Sequence, residues 1–230
     1  MSGLGTDRDK RTHNHFHWSP QDYYGFAELE AAYATNWIAR TIINAPVNDA
    51  TREWRSFSAK EASDIQRAEK RYKLQQTVQK SFKWAGLYGG SGIVMITDQD
   101  LERPLDVDRI KKGSLKRFQV LDRRILTGMD IQATDPTASN FLLPNTYMIN
   151  GGSTRVHHSH VVRVPGAELP MMMMQANGGW GDSELRKCME DLKDAVAAKG
   201  GIAALIQEAN VDIIRKEGLY DAMASDDASD

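Results

Sequence analysis

The chain has 230 residues, of which 41% are hydrophobic and 26% charged, an ordinary globular composition with enough length to bury a core. The formal net charge of −2 excludes a uniformly basic protein. Single Cys188 excludes an internal disulfide, and no apolar run approaches the roughly 20 residues of a membrane span. The sequence predicts a soluble protein without membrane contact, made and used in a cytoplasm.

The N-terminal part predicts a mobile arm followed by two helices. Residues 1–19 are polar and rich in histidine, as is typical of an arm. Apolar residues then recur at helical spacing from Pro20 to about Asn44, where Ala45-Pro46 should end the helix. A capping-box pattern at residues 58–61 predicts the start of a second helix, which runs to about Trp84.

The middle of the chain predicts strands. Residues 92–97 are apolar and β-branched, and further strands are expected at residues 117–121, 146–150 and 160–164. Turn residues rich in proline and glycine separate these segments. We expect one mixed or antiparallel sheet.

Two amphipathic helices are expected near the C-terminus, with Asp182 or Ser183 as the cap of the first and Gly200-Gly201 between them. The first apolar stripe is Leu185, Cys188, Met189, Leu192 and Val196, and the second is Ile202, Leu205, Ile206, Ala209 and Ile213. The first stripe should pack on the β-rich section and the second should be less covered. Residues 221–230 are small and acidic, which predicts a disordered tail.

Charge is unevenly distributed along the sequence. Residues 52–83 carry nine basic and four acidic side chains, whereas residues 182–230 carry six basic and twelve acidic ones. Such asymmetry indicates either an interaction surface or two solvated helix faces of opposite sign. Further basic pairs, which could contact phosphate or form a solvated loop, are Lys111-Lys112, Lys116-Arg117 and Arg123-Arg124.

Histidines provide the candidate chemistry, in two groups. His13, His15 and His17 lie on the predicted arm, where adventitious metal affinity is the simpler interpretation. The second group is His157-His158-Ser159-His160, in which His158 and His160 would share one face of a strand. A two-histidine phosphodiesterase needs two His-x-Ser/Thr motifs, one histidine acting as base and the other as acid. His157-His158-Ser159 fits once, and the second fit, His17-Trp18-Ser19, falls in the arm.

Residues 86–92 contain four glycines and superficially resemble a phosphate-binding loop. They lie between a predicted helix and a predicted strand, the reverse of P-loop order, and include no lysine. A tight helix-to-strand turn is the better interpretation. We therefore predict no catalytic residues, no cofactor-binding residues, no metal site and no enzymatic activity.

Five blocks, in order, resemble a known family: residues 37–46, 49–54, 85–93, 158–166 and 179–185. Their content is similar to that of tailed-phage and prophage portal proteins. This family is also labelled by its relation to anti-CBASS proteins, which degrade cyclic nucleotide signals. The resemblance covers about residues 20–220 and implies an α+β, wing-like domain from the N-terminal half of a longer portal. The expected boundaries are an arm at 1–19, the domain at 20–220 and a tail at 221–230.

The resemblance implies a structural role in the virion. Portal subunits form rings of about twelve copies at the capsid vertex, through which DNA is packaged and ejected. The implied partners are further copies of the chain, terminase, capsid and head–tail connector proteins, and non-specific double-stranded DNA. The alternative is an anti-defence phosphodiesterase that acts on cyclic oligonucleotides.

Overall fold

The computed structural model describes residues 24–56 and 62–208. This part of the chain forms an α+β fold with six α-helices and two three-stranded antiparallel sheets, which confirms the predicted class. The helices are α1 (Phe26–Thr35), α2 (Trp37–Arg52), α3 (Ala62–Tyr72), α4 (Leu74–Tyr88), α5 (Met171–Ala176) and α6 (Met189–Glu208). The strands are β1 (Gly90–Ile96), β2 (Arg117–Asp122), β3 (Leu126–Ile131), β4 (Pro144–Ile149), β5 (Arg155–His157) and β6 (Val161–Pro165).

The predicted arm at 1–19, the predicted acidic tail at 221–230 and the capping box at 58–61 lie outside the described residues. The predicted domain boundaries therefore stay predictions. The chain divides into a first unit that ends at Met189 and a second that begins at Glu190. No helix in residues 24–56 and 62–208 is long and apolar enough to cross a membrane.

The first predicted helix is two helices, because the chain is extended at Asn36 (φ −106°, ψ 120°). The side-chain oxygen of Asn36 accepts a hydrogen bond of 2.9 Å from the backbone N–H of Ile38. Asparagine is a favoured helix cap because this bond satisfies a donor that has no partner within the helix. The capping residue lies inside an apolar pattern of helical spacing, so periodicity alone did not reveal it.

The expected helix end at Ala45-Pro46 is wrong, since α2 continues through Pro46 to Arg52. The turn after the proline is bonded to α4. The carbonyl oxygen of Thr51 accepts a bond from Gln75 (2.8 Å), and its hydroxyl accepts one from Gln79 (3.1 Å). Pro46 has no backbone N–H and therefore costs the helix one hydrogen bond. The bonds from α4 to Thr51 help to offset this cost and so favour continuation of the helix.

The second predicted helix is also divided, at Lys73, which has a left-handed backbone (φ 50°). On its N-terminal side, none of the side chains of α3 is buried. On its C-terminal side, α4 buries Ser81, Ala85, Leu87 and Tyr88 and packs against β1 and β2. The long helix predicted from sequence therefore contains a surface helix and a core helix.

The single predicted sheet is two sheets, one with strand order β2-β1-β6 and one with order β3-β4-β5. The four predicted strands overlap β1, β2, β4 and β6. Two strands were missed, because β3 is interrupted by Asp130 with a positive φ of 52° and β5 has only three residues. Helix α5, a run of four methionines and two further residues, was not predicted either.

The hydrophobic core lies between the two sheets. Residues from both sheets and one tryptophan from the loop after α5 form a single buried cluster: Val94, Leu126, Tyr147, Val156, Val161 and Trp180. Because the strands form two sheets, the inner face of each sheet can pack against the inner face of the other.

Helix α6 corrects the expectation of two helices separated by Gly200-Gly201. It runs without interruption for 20 residues, and both glycines are exposed with open space beside them. A glycine inside a helix costs only about 1 kcal/mol relative to alanine, which weakens a helix without ending it.

Burial differs between the two apolar stripes, as predicted. Leu185, Met189 and Leu192 are buried, whereas Ile202, Leu205 and Ile206 are 59–66% exposed. The last member of the first stripe, Val196, is 56% exposed and so departs from the prediction. Ala209 and Ile213 lie outside the described residues.

Candidate functional site

The histidine segment is a turn and not a strand. His158–His160 form one turn of 3-10 helix between β5 and β6, so His158 and His160 do not share a strand face as predicted. His160 is fully buried, and its Nε2 atom lies 3.0 Å from the carbonyl oxygen of Arg103. The first residue of the predicted strand 160–164 is therefore a buried histidine in a turn.

Ser159 and His157 are hydrogen-bonded to each other. The backbone N–H of Ser159 donates to Nδ1 of His157 (3.3 Å), so this nitrogen is an acceptor and the neutral ring carries its proton on Nε2. The hydroxyl of Ser159 lies 2.9 Å from the same Nδ1 and accepts a bond of 2.7 Å from the N–H of Leu105. Both polar groups are thus engaged within the protein.

The histidine turn, residues 157–160, clamps the loop at residues 101–105. The backbone N–H of His157 donates to the carbonyl oxygen of Leu101 (2.8 Å), and Ser159 and His160 bond Leu105 and Arg103. Three hydrogen bonds therefore join this polar segment to one loop. The second His-x-Ser pattern, at residues 17–19, lies outside the described residues.

The rings of His157 and His158 remain partly exposed and pack with their centroids 4.4 Å apart. Burial, together with the neighbouring histidines, lowers the pKa of His157, and burial lowers the pKa of His158. Both rings are therefore neutral at pH 7. Within residues 24–56 and 62–208, no three histidine, cysteine or carboxylate side chains cluster to hold a metal ion.

A glycine junction, defined by Gly89, Gly166 and Gly181, joins α4, β6 and the loop before α6. Helix α4 ends at Tyr88 and Gly89 adopts a positive φ of 84°, which confirms the predicted tight turn into β1. Gly166 donates its N–H to the carbonyl oxygen of Gly89 (3.1 Å). Ala167 and Asp182 then exchange two backbone bonds of 2.8 Å, which fix the third segment.

Backbone atoms in the glycine junction approach more closely than any side chain would permit. A Cβ atom on Gly166 would lie 2.5 Å from Cα of Gly89 and would also meet the carbonyl oxygen of Asp182. A Cβ atom on Gly89 would lie 2.6 Å from the carbonyl oxygen of Gly181. Real Cβ atoms do not make such contacts, so the three segments can meet only through glycine.

The blocks noted in the sequence meet in or beside this junction. Block 85–93 contributes Gly89, block 158–166 Gly166, and block 179–185 Gly181 and Asp182. Block 37–46 contributes Ile43, whose side chain lies 3.5 Å from where a Cβ of Gly86 would be. The remaining block, 49–54, contains Thr51, which accepts hydrogen bonds from α4. These blocks therefore specify packing between segments that are distant in sequence.

Two arginine clusters were missed by sequence reasoning. Arg124 forms ion pairs with Glu30 (2.9 Å) and Asp122 (3.2 Å) and lies over the ring of Tyr88, whose hydroxyl donates to Glu30 (2.7 Å). Burial is the main reason that the pKa of Tyr88 is raised, followed by its bond to Glu30. This cluster joins α1 to the first sheet.

Arg123 and Arg163 also serve the fold. Arg123 donates to the carbonyl oxygen of Gly181 (3.0 Å) and to the side chain of Asn177. Arg163 packs over the ring of Trp180 (4.4 Å) and donates to the carbonyl oxygen of Gly179. A sequence signal for Arg163 is its position two residues after Val161, which places both side chains on one face of β6. The pair Arg123-Arg124 is thus engaged by the protein and is not a solvated loop.

Two other basic segments remain exposed and lie side by side. Arg67 and Arg71 of α3 line one groove together with Lys111 and Lys112 of the loop before β2. Two basic segments that are about forty residues apart in the sequence therefore lie together in the fold. Their separation in the sequence did not reveal this.

Comparison with known proteins identifies the class. Residues 27–230 match the phage portal protein family, and the chain therefore belongs to that family. It is 37% identical over 228 residues to a protein of Caulobacter sp. (strain RHG1) named "Anti-CBASS protein Acb1", an alignment that covers 95% of this chain and 36% of that protein. A protein of the same name from Sphingomonas paeninsulae is 31% identical over 236 residues, with 97% and 36% covered.

A third relative, an uncharacterized protein of Haemophilus influenzae, is 29% identical over 206 residues, which cover 86% of this chain and 46% of that protein. The chain thus spans between about a third and a half of the length of the curated relatives that it matches.

Proposed function

We propose that the chain is a structural subunit of a phage portal, the channel at the capsid vertex through which DNA is packaged and ejected. In this proposal it is made in the bacterial host cytoplasm and assembles into the virion as a homo-oligomeric ring. Terminase, capsid and head–tail connector proteins are its partners, and double-stranded DNA is contacted without sequence preference. The observation that carries the proposal is family membership over residues 27–230.

The use of the polar residues supports a structural role. The histidine turn clamps a loop, and the arginine clusters hold helices and loops onto the sheets. Catalysis would require an acid and a base directed toward a substrate. In the described residues Nδ1 of His157 and the hydroxyl of Ser159 bond each other, while His160 is buried.

A second candidate is an anti-defence phosphodiesterase that cleaves cyclic oligonucleotides. The observation in its favour is the name "Anti-CBASS protein" carried by two relatives. Because this chain spans 36% of each of those proteins, a shared domain and a shared activity are separate questions. The feature of this chain that would suit such an activity is one His-x-Ser motif, at His157-His158-Ser159.

Light scattering over a range of concentrations tests assembly. A subunit that contributes to a ring should associate with itself, so the apparent mass should rise above the 25.7 kDa of one chain as the concentration increases. The exposed stripe of α6 supplies an apolar surface for weak association. A mass that stays at that of one chain across the range would contradict self-assembly through this part of the subunit.

A further inference from the structure

Helix α3 presents cationic side chains without contributing to the core. None of its 11 residues is buried. Arg67 and Arg71 are one helical turn apart, a rise of about 6 Å along the axis, so they lie on the same face. Arg67 has one exposed acidic neighbour, Asp64, at 3.3 Å, an i,i+3 pair of the kind that contributes little in water.

The loop opposite α3 is held rigidly. The hydroxyl of Ser114 accepts a bond from the N–H of Lys111 (3.1 Å) and donates one to the carboxylate of Asp98 (3.0 Å). The N–H of Asp98 donates to the carbonyl oxygen of Ser114 (3.1 Å). Lys111 and Lys112 are exposed, and neither forms an ion pair with any residue in the part of the chain described.

Tyr72 fixes the distance between these two cationic elements. Its hydroxyl donates to the carbonyl oxygen of Leu115 (2.8 Å), and its ring packs edge-on against Phe118 with centroids 6.0 Å apart. The result is a basic groove, which we define by Arg67, Arg71, Lys111 and Lys112. Among the described residues that line it, Asp64 is the single carboxylate. A groove already organised for an anion loses little entropy when it binds one.

We propose that the basic groove binds the phosphate backbone of duplex nucleic acid. Guanidinium groups match phosphate oxygens through paired hydrogen bonds, and lysines add point charges. The inference locates the DNA contact of the proposed portal subunit, and it rests on that function for its biological setting.

A duplex fits the groove better than a single strand does. Proteins that hold single strands stack bases on aromatic rings. The aromatic ring that lines the basic groove, Tyr72, is occupied by Phe118 and by its bond to Leu115. Among the described residues, the lining therefore offers contacts to phosphates but no aromatic platform for bases, and binding should be independent of sequence.

Fluorescence anisotropy with the full chain and a labelled duplex tests this assignment. The groove variant carries Arg67→Gln, Arg71→Gln, Lys111→Gln and Lys112→Gln. The matched control removes two exposed arginines and two exposed lysines elsewhere, by Arg52→Gln, Lys80→Gln, Arg155→Gln and Lys199→Gln. Because all eight side chains are exposed, equal thermal midpoints should confirm that both variants fold.

The groove variant should bind the duplex at least about tenfold more weakly at 100 mM salt, and its plot of log affinity against log salt should be shallower by about three to four. The control should retain the steeper slope, and two unrelated duplex sequences should bind the parent equally. Equal losses in both variants, no binding by the parent, or tighter binding of a single strand of equal length would each overturn the proposal.

One further outcome also overturns the proposal. If the parent does not bind DNA and the groove variant loses self-association, the groove is a contact surface for a second copy of the chain. These outcomes leave the proposed assembly into a ring standing, although no DNA binding by the parent would also remove double-stranded DNA from its proposed partners. The structural role is tested separately, by the mass in solution and by the absence of turnover.

Discussion

Replacing Gly166 by alanine should destabilise the protein by about 3 kcal/mol, as expected when a methyl group is forced into a fully packed site. The new Cβ would lie 2.5 Å from Cα of Gly89 and would meet the carbonyl oxygen of Asp182. Both obstacles are backbone, so no change of side-chain rotamer relieves the contact. The chain would have to separate β6 from the end of α4, at the point where Gly166 and Gly89 are hydrogen-bonded.

Chemical denaturation of the parent and two variants measures this effect. Gly200→Ala is the matched control, because nothing lies within 4 Å of its Cβ position in α6. Alanine there should stabilise the helix by up to about 1 kcal/mol. If Gly166→Ala unfolds at the same denaturant concentration as the parent, the close approach of the three segments is not a requirement of the fold.

Truncation of Leu192 to alanine should cost about 2–5 kcal/mol, the range observed for large apolar side chains in a core. Leu192 is 7% exposed, and its loss would leave a cavity as well as reducing apolar burial. By contrast, replacing Leu205 and Ile206 by glutamine should change the free energy of unfolding little, because these side chains are 66% and 64% exposed.

The same pair of variants separates stability from association. The Leu205/Ile206 variant should be more soluble and should show a smaller rise of apparent mass with concentration, because it removes an exposed apolar stripe. The Leu192 variant should unfold at lower denaturant concentration. Should the Leu205/Ile206 change unfold the protein as severely as Leu192→Ala, the second half of α6 belongs to the core.

Local patterns predicted the class of the fold and four of its strands. The β-branched run after Gly92 and the valines at residues 161–164 predicted strands, and the structure has β1 and β6 at these places. Tertiary contacts decided the errors. Bonds from Gln75 and Gln79 to Thr51 carry α2 past Pro46, and these partners are more than twenty residues apart in the chain.

The candidate site was less accessible to sequence reasoning. The sequence predicted the glycine-rich turn correctly. It also drew attention to the histidine segment, but it placed His158 and His160 on a strand, whereas they lie in a turn. Their roles depend on Leu101, Arg103 and Leu105, which lie more than fifty residues earlier. In the same way, Arg123 and Arg124 are indistinguishable in sequence from Lys111 and Lys112. The fold brings Glu30 to Arg124, and Asn177 and Gly181 to Arg123, and it leaves the second pair exposed.

Incubation with cyclic dinucleotides is the most direct test of a structural, non-catalytic role. The parent should be compared with a His157→Gln/His158→Gln variant, which keeps buried His160 and so preserves the core. Linear products should be sought by chromatography over a long incubation with excess protein. The proposed role predicts no linear product from either protein. Robust turnover by the parent that is lost in the folded double variant would contradict it.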